Sequence, residues 1–162
     1  MTYTPQHIAN YFLQRARSEG EKISPLKLLK LVYIAYGWNI ALTKGDKLFD
    51  EPIEAWEHGP VVPTLYHEFK HYGRNAITEL SEEYDAEMAH FTIPEVDDED
   101  TKLILSKVWA AYKHFSPWTL RNKTHEEDGP WDRVYDRHMR SNPLNDDDIK
   151  EHYERRLATY FG

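Results

Sequence analysis

Apolar residues recur at helical spacing through most of the chain, and nearly every helical stretch carries its own start signal. Thr4-Pro5 reads as an N-cap followed by proline at the first helical position, with Ile8, Tyr11, Phe12 and Ala16 lining one side. Gly20 closes this first helix near Ser18. Ser24-Pro25 repeats the signal and opens a helix to about Leu42. From Leu31 onward that helix is apolar on most faces (Val32, Tyr33, Ile34, Ala35, Tyr36, Trp38, Ile40, Ala41). A helix apolar all round is normally buried, so it is predicted at the centre of the fold. Lys27 and Lys30 share one edge near its start and read as a solvated face.

After a turn at Lys44-Gly45-Asp46, Leu48-Phe49 and Ile53 to Trp56 read as two short strands around Asp50-Glu51-Pro52, the second stopped by Gly59-Pro60. Pro63 opens a short helix with Leu65, Phe69 and Tyr72 inward, ended by Gly73. From Arg74 to Pro94 the pattern is weak. Ile77 and Phe91-Thr92-Ile93 suggest short strands, and Glu82 to Met88 a helical turn. Five acids between Glu95 and Asp100 precede a helix from Leu103 to Phe115, with Ile104, Val108, Ala111, Tyr112 and Phe115 on one side. Acids in a first turn interact favourably with the helix dipole, and the run lacks the spaced oxygens and glycine of an EF-hand loop. Ser116-Pro117 and Gly129-Pro130 open two further short helices, the second broken at Asn142-Pro143. Asn145 and the three aspartates after it cap a last helix whose Ile149, Tyr153, Leu157 and Tyr160 face inward. The expected fold class is therefore mainly α, a compact helical domain around a buried central helix with one small antiparallel β-hairpin. With 162 residues and no linker or internal repeat, residues 1–162 are expected to form a single domain.

Composition narrows the function classes. The chain lacks cysteine, which excludes disulfides and thiolate metal sites and fits a reducing cytoplasm. Its start has neither a basic nor an apolar signal region, and no apolar run is long enough to cross a bilayer. With 28 acidic against 20 basic residues the net charge is −8, which disfavours nucleic acid and favours a basic protein partner. Five Trp and eleven Tyr exceed what is usual, and those not needed in the core suit a protein interface.

Two clusters carry candidate chemistry. His67-Glu68-Phe69-Lys70-His71 matches the His-Glu-x-x-His zinc protease pattern. With Leu65, Phe69 and Tyr72 on the buried side, however, both histidines project to solvent, where a third ligand and a dry cavity are hard to supply. A zinc metalloprotease acting through His67, Glu68 and His71 is thus a remote alternative. His125-Glu126-Glu127-Asp128 offers a carboxylate-oriented base or a cation site, but lies between two helix signals and reads mainly as capping structure. A phosphate loop, a cysteine nucleophile and a serine elbow are missing from the sequence. The reading is non-enzymatic, with no metal and no cofactor.

The order of blocks is more specific. Ser24-Pro25-Leu26-Lys27-Leu28-Leu29-Lys30-Leu31, then an aromatic helix, then Glu54-Ala55-Trp56-Glu57-His58-Gly59-Pro60-Val61-Val62-Pro63-Thr64-Leu65-Tyr66 resembles the Panacea antitoxin domain, also called SocA-like and earlier phage-associated GepA-like. Thr124-His125-Glu126 followed by Pro130-Trp131 is similar to its C-terminal signature, and the likeness runs from about Ile8 to Phe161. The stretch from Arg74 to Glu99 matches little, as expected of a variable insert. The resemblance implies an antitoxin that neutralises its cognate toxin by direct protein binding, with a phage or prophage origin. One family member is an adaptor delivering its toxin to a cytoplasmic protease, so an adaptor or a phage-encoded regulator of a host protein is the alternative. Many members carry an added DNA-binding domain; this chain has no room for one, and direct nucleic-acid binding is not expected. Nor is a membrane partner. The acidic charge suits a toxin with a basic groove that handles tRNA or nucleotides. The candidate contacts are Trp56, His58, Trp118, His125, Glu126 and Trp131.

Overall fold

Helix α1 (Pro5–Glu19) and helix α2 (Pro25–Thr43) begin as their sequences require, with Thr4 and Ser24 side chains accepting the backbone N–H of His7 and Lys27. They belong to a computed structural model that describes residues 3–139 and 141–160, the last without its side chain. The inward-facing side chain expected of Tyr160 lies outside the described residues. Gly20, at φ 69°, closes α1 one residue later than predicted.

Helix α2 is the hub. Sixteen of its nineteen residues are buried, so no side of it faces water. Packed around it are α1, α3 (Pro63–Phe69), α4 (Glu99–Tyr112), α5 (Pro117–Thr124) and α7 (Asp146–Glu154). Trp38, Tyr33, Leu28, Leu31 and Ile34 are all but fully enclosed, each burial being worth about 1.5–3 kcal/mol for residues of this kind. Polar tips on this helix are answered: Trp38 Nε1 donates to Tyr112 Oη (3.0 Å) and Tyr36 Oη to Asp146 Oδ1 (2.8 Å). The acid run before α4 works as capping, since Asp98 accepts from the Thr101 N–H while Glu99 and Asp100 occupy the first turn.

Several local expectations are revised. Lys27 and Lys30 do not form a solvated face; both are buried, because the wrapping continues around the first turns of α2. The hairpin pairs β1 (Glu54–Trp56) with β2 (Gly59–Val61) across a two-residue turn, not Leu48-Phe49 with Ile53 to Trp56. Phe49 instead bridges Tyr3. Gly59-Pro60 lies within the second strand because β2 is a sheet edge, where proline's missing N–H costs no ladder bond. Asn142-Pro143 does not break a helix but forms β5, which pairs antiparallel with β1 to complete a three-stranded sheet. The helix at Pro130, α6, ends at Val134. Glu82 to Met88 is not a helical turn: β3 (Glu83–Asp85) and β4 (His90–Thr92) make a second hairpin with Tyr84 opposite Phe91. Ile77 forms no strand; its N–H donates to the Ile23 carbonyl at 2.8 Å. On α4 the buried residues are Leu105, Val108, Trp109 and Tyr112, so the inward stripe is rotated from the expected one. A short helix α8 (Leu157–Tyr160) follows α7. Among the described residues no helix is long and apolar enough to cross a membrane.

Helix α7 packs tightly on α2 at Gly37, where an added Cβ would lie 2.1 Å from Cε2 of the buried Tyr153. Alanine in place of a mid-helix glycine gains about 1 kcal/mol of propensity, whereas overpacking a core costs about 1–3 kcal/mol or more. The overlap with a buried ring sets the sign. Gly37→Ala is expected to lower the urea unfolding free energy by about 1–3 kcal/mol, and Gly37→Ala/Tyr153→Leu to recover part of the loss.

Candidate functional site

Lys30 is where the central helix meets the β1–β2 hairpin. Its side chain is fully enclosed and its Nζ donates to the Pro60 carbonyl at 3.0 Å. Burial, reinforced by the Arg121 charge, pushes the ammonium down to about 7. Depressed lysines often mark catalysis, but this Nζ is closed off beneath a strand and spends its bond on that strand's backbone. Gly59 makes the approach possible. It has φ 115°, and a Cβ there would stand 2.8 Å from Lys30 Nζ and 3.0 Å from both Thr124 Oγ1 and His125 Cε1. Glycine is required twice here, by backbone conformation and by space.

His125 caps α5 and ties it to the hairpin turn. Its Nδ1 lies 2.7 Å from the Arg121 carbonyl and its Nε2 3.1 Å from the Glu57 carbonyl. A neutral ring donates only one of these bonds and a charged ring both. Burial nevertheless outweighs the two carbonyls, and with Arg121 and Lys30 nearby its pKa is lowered. The ring packs 3.9 Å from that of Trp131, whose indole Nε1 donates to the Trp56 carbonyl at 2.6 Å. Trp56, His125 and Trp131 are therefore drawn together, although 75 residues separate the first and last.

Trp131 is buried as part of this frame. Trp56 is half-buried, its Nε1 bonded to Glu54 and its ring 5.0 Å from Tyr66. His58 is exposed at the turn. Glu126 turns away from the hairpin to pair with Arg156. Trp118 stands apart on the first turn of α5, 58% exposed, with the Arg121 guanidinium 4.4 Å from its ring centroid. Sequence reasoning missed Lys30, Gly59 and Thr124. The available signal was two lysines inside a helix otherwise apolar all round.

The zinc-protease string lies as expected. His67 and His71 are exposed, the second on a 3-10 turn (Lys70–Tyr72) that follows α3, and Glu68 accepts from Gln6 Nε2 at 3.3 Å. In the second cluster Asp128 pairs with Arg133 at 3.2 Å. Among the described residues no group of three or more His, Cys, Asp or Glu is placed to hold a metal ion.

A model of the antitoxin SocA-like, Panacea domain matches residues 28–132, which include Lys30, the β1–β2 hairpin, His125 and Trp131. Antitoxin SocA of Caulobacter vibrioides (strain NA1000 / CB15N) is 30% identical over 140 residues, covering 83% of this chain and 74% of that protein. No solved structure matches.

Lys30 gives a pH signature. Its folded pKa lies below the ordinary value of 10.5, so between about pH 7 and 10.5 the unfolded chain binds more protons and stability rises with pH. Buried Tyr33, Tyr36 and Tyr153 have raised pKa values and oppose this as free tyrosine ionises near pH 10. Subtracting a Lys30→Met variant cancels them. Wild type is expected to gain on Lys30→Met by a few kcal/mol between pH 7 and 10 in urea titrations; a flat difference would refute the assignment.

Proposed function

The chain belongs to the antitoxin SocA-like, Panacea domain family, and on that premise we propose that it silences a cognate toxin by binding it directly. The observation that carries this reading is the similarity to Antitoxin SocA over 83% of the chain. It is supported by what the shared region contains. Lys30, His125 and Trp131 spend their polar groups on the protein's own backbone, leaving a rigid frame with aromatic side chains at its surface. Such rings suit protein interfaces.

Within this proposal the six candidate residues divide by role. Trp118 and His58 touch the toxin, and half-buried Trp56 presents its free edge beside Tyr66. Trp131, His125 and Glu126 act through the frame. The partner is a protein whose basic groove handles tRNA or nucleotides, and the chain's net charge of −8 speeds its approach. Occlusion alone is sufficient, without a protease.

The purified chain is expected to inhibit the purified toxin, taken as the protein encoded by the adjacent gene, with no protease in the reaction. Inhibition seen only when a cytoplasmic protease is added would replace occlusion by delivery. Trp118→Ala is expected to weaken binding about tenfold or more at unchanged melting temperature. Trp131→Ala is expected to cost about 3–5 kcal/mol of stability first.

A further inference from the structure

The β3–β4 hairpin differs from the rest of the surface in both apolarity and charge. Eight large hydrophobic residues are exposed among those described, and four fall within this short segment: Tyr84 (59%), Met88 (66%), Phe91 (64%) and Ile93 (43%). Tyr84 and Phe91 are directly paired across the strands, their rings 5.2 Å apart, edge to face. Ile93 is two residues beyond Phe91 and so shares its face.

A two-stranded hairpin alone is marginal in water. This one is anchored from below. Asn10 of α1, fully buried, donates to the carbonyls of Ser81 and Pro94 (3.0 Å each) and accepts the Ser81 N–H (2.8 Å). One amide thus holds both legs of the loop. At the tip, Asp85 Oδ1 accepts the N–H groups of Glu87 and Met88. The apolar side chains are held out on a braced stalk rather than folded onto the core, and contiguous exposed apolar groups of this kind mark interaction sites.

Charge selects the occupant. From Asn75 to Thr101 the chain has ten acidic residues and no Lys or Arg. Against its 20 basic residues the rest of the chain sets 18 acids (28 less these ten), so the whole negative excess lies here. At the foot of the hairpin a groove of about 690 Å³ is lined by Glu68, Glu79, Glu82, Phe69, Tyr72 and Ile93. Arg17 also borders it, with Nη2 bonded to the Thr78 carbonyl at 2.9 Å. Carboxylates beside apolar side chains fit a lysine or arginine with its alkyl stem. Nucleic acid and anionic lipid would be repelled. A symmetric dimer through this hairpin would set acid against acid.

We propose that the β3–β4 hairpin is a further docking surface for the toxin, in addition to the Trp118, His58 and Trp56 contacts, with Tyr84 and Phe91 entering an apolar depression on a basic face while the groove at its foot takes a basic side chain. This rests on the reading of the chain as a toxin-binding antitoxin and adds a second surface to the contacts of that reading. The charged rim governs encounter and the aromatic pair governs residence.

The test uses the full chain and the protein encoded by the adjacent gene, with affinity and association rate measured at low and high salt. Tyr84→Ser/Phe91→Ser is expected to weaken binding about tenfold or more at unchanged melting temperature. Leu103→Ser, an equally exposed apolar residue on α4, is expected to have no effect. Glu82→Lys/Glu83→Lys/Glu87→Lys is expected to slow association about tenfold at low salt and to flatten its salt dependence. On complex formation, amide exchange in residues 83–92 is expected to slow. Binding by Tyr84→Ser/Phe91→Ser as tight as wild type would overturn the docking surface and leave the antitoxin reading standing. Failure of the wild-type chain to bind would remove both. A wild-type dimer that Tyr84→Ser/Phe91→Ser dissolves would assign the hairpin to self-association and overturn the proposal.

Discussion

Helix α2 has no side that tolerates water, and the surrounding architecture answers that constraint. Nineteen residues with sixteen buried can persist only if other elements close around the whole cylinder. Helices α1, α3, α4, α5 and α7 and the β1–β2 hairpin do so. The packing is close enough that Tyr153 rests directly on the α2 backbone at Gly37. The same enclosure traps Lys30. An ammonium buried there must find an acceptor, and the one it finds is the carbonyl of Pro60. Burial of the helix thus dictates where the hairpin lies.

From that bond the rest of the frame follows. Placing Pro60 over Lys30 brings Gly59 against Thr124 and His125 with no room for a side chain. His125 then reaches the Glu57 carbonyl, and Trp131 that of Trp56. Each bond joins a side chain from one part of the chain to backbone in another. These polar groups are spent on internal register, joining His, Lys and Trp side chains to distant backbone. The two hairpins consequently differ in kind. The first is stitched into the core by its carbonyls. The second is gripped only at its base by Asn10, with its apolar side chains turned outward among carboxylates.

Caps, breakers and period were legible from residue order. Thr4-Pro5, Ser24-Pro25, Ser116-Pro117 and Asn145 all start helices, because a side-chain oxygen beside a free backbone N–H is a local interaction. The all-round apolar run from Leu31 to Ala41 placed α2 at the centre for the same kind of reason: burial follows from composition and spacing alone. The family followed from the order of its blocks. Other features depended on partners far along the chain. Leu48-Phe49 has more strand character than Gly59-Pro60, yet the strand forms at Gly59 to Val61, where Pro60 sits on a sheet edge and its carbonyl accepts from Lys30. Lys30 reads as a surface lysine until Pro60 lies over it. Tyr84 reads as part of a helical turn and Phe91 as part of a short strand until the two are paired in a hairpin with their rings exposed. The sequence by itself determined the helices, the central one among them, and the family. Tertiary structure decided strand register, the burial of Lys30, and which aromatic rings face water. The hairpin pairs are close in sequence, but the burial of Lys30 under Pro60, the pairing of β1 with β5 and the grip of Asn10 on the second hairpin join residues 30 to 89 positions apart, which no local pattern encodes.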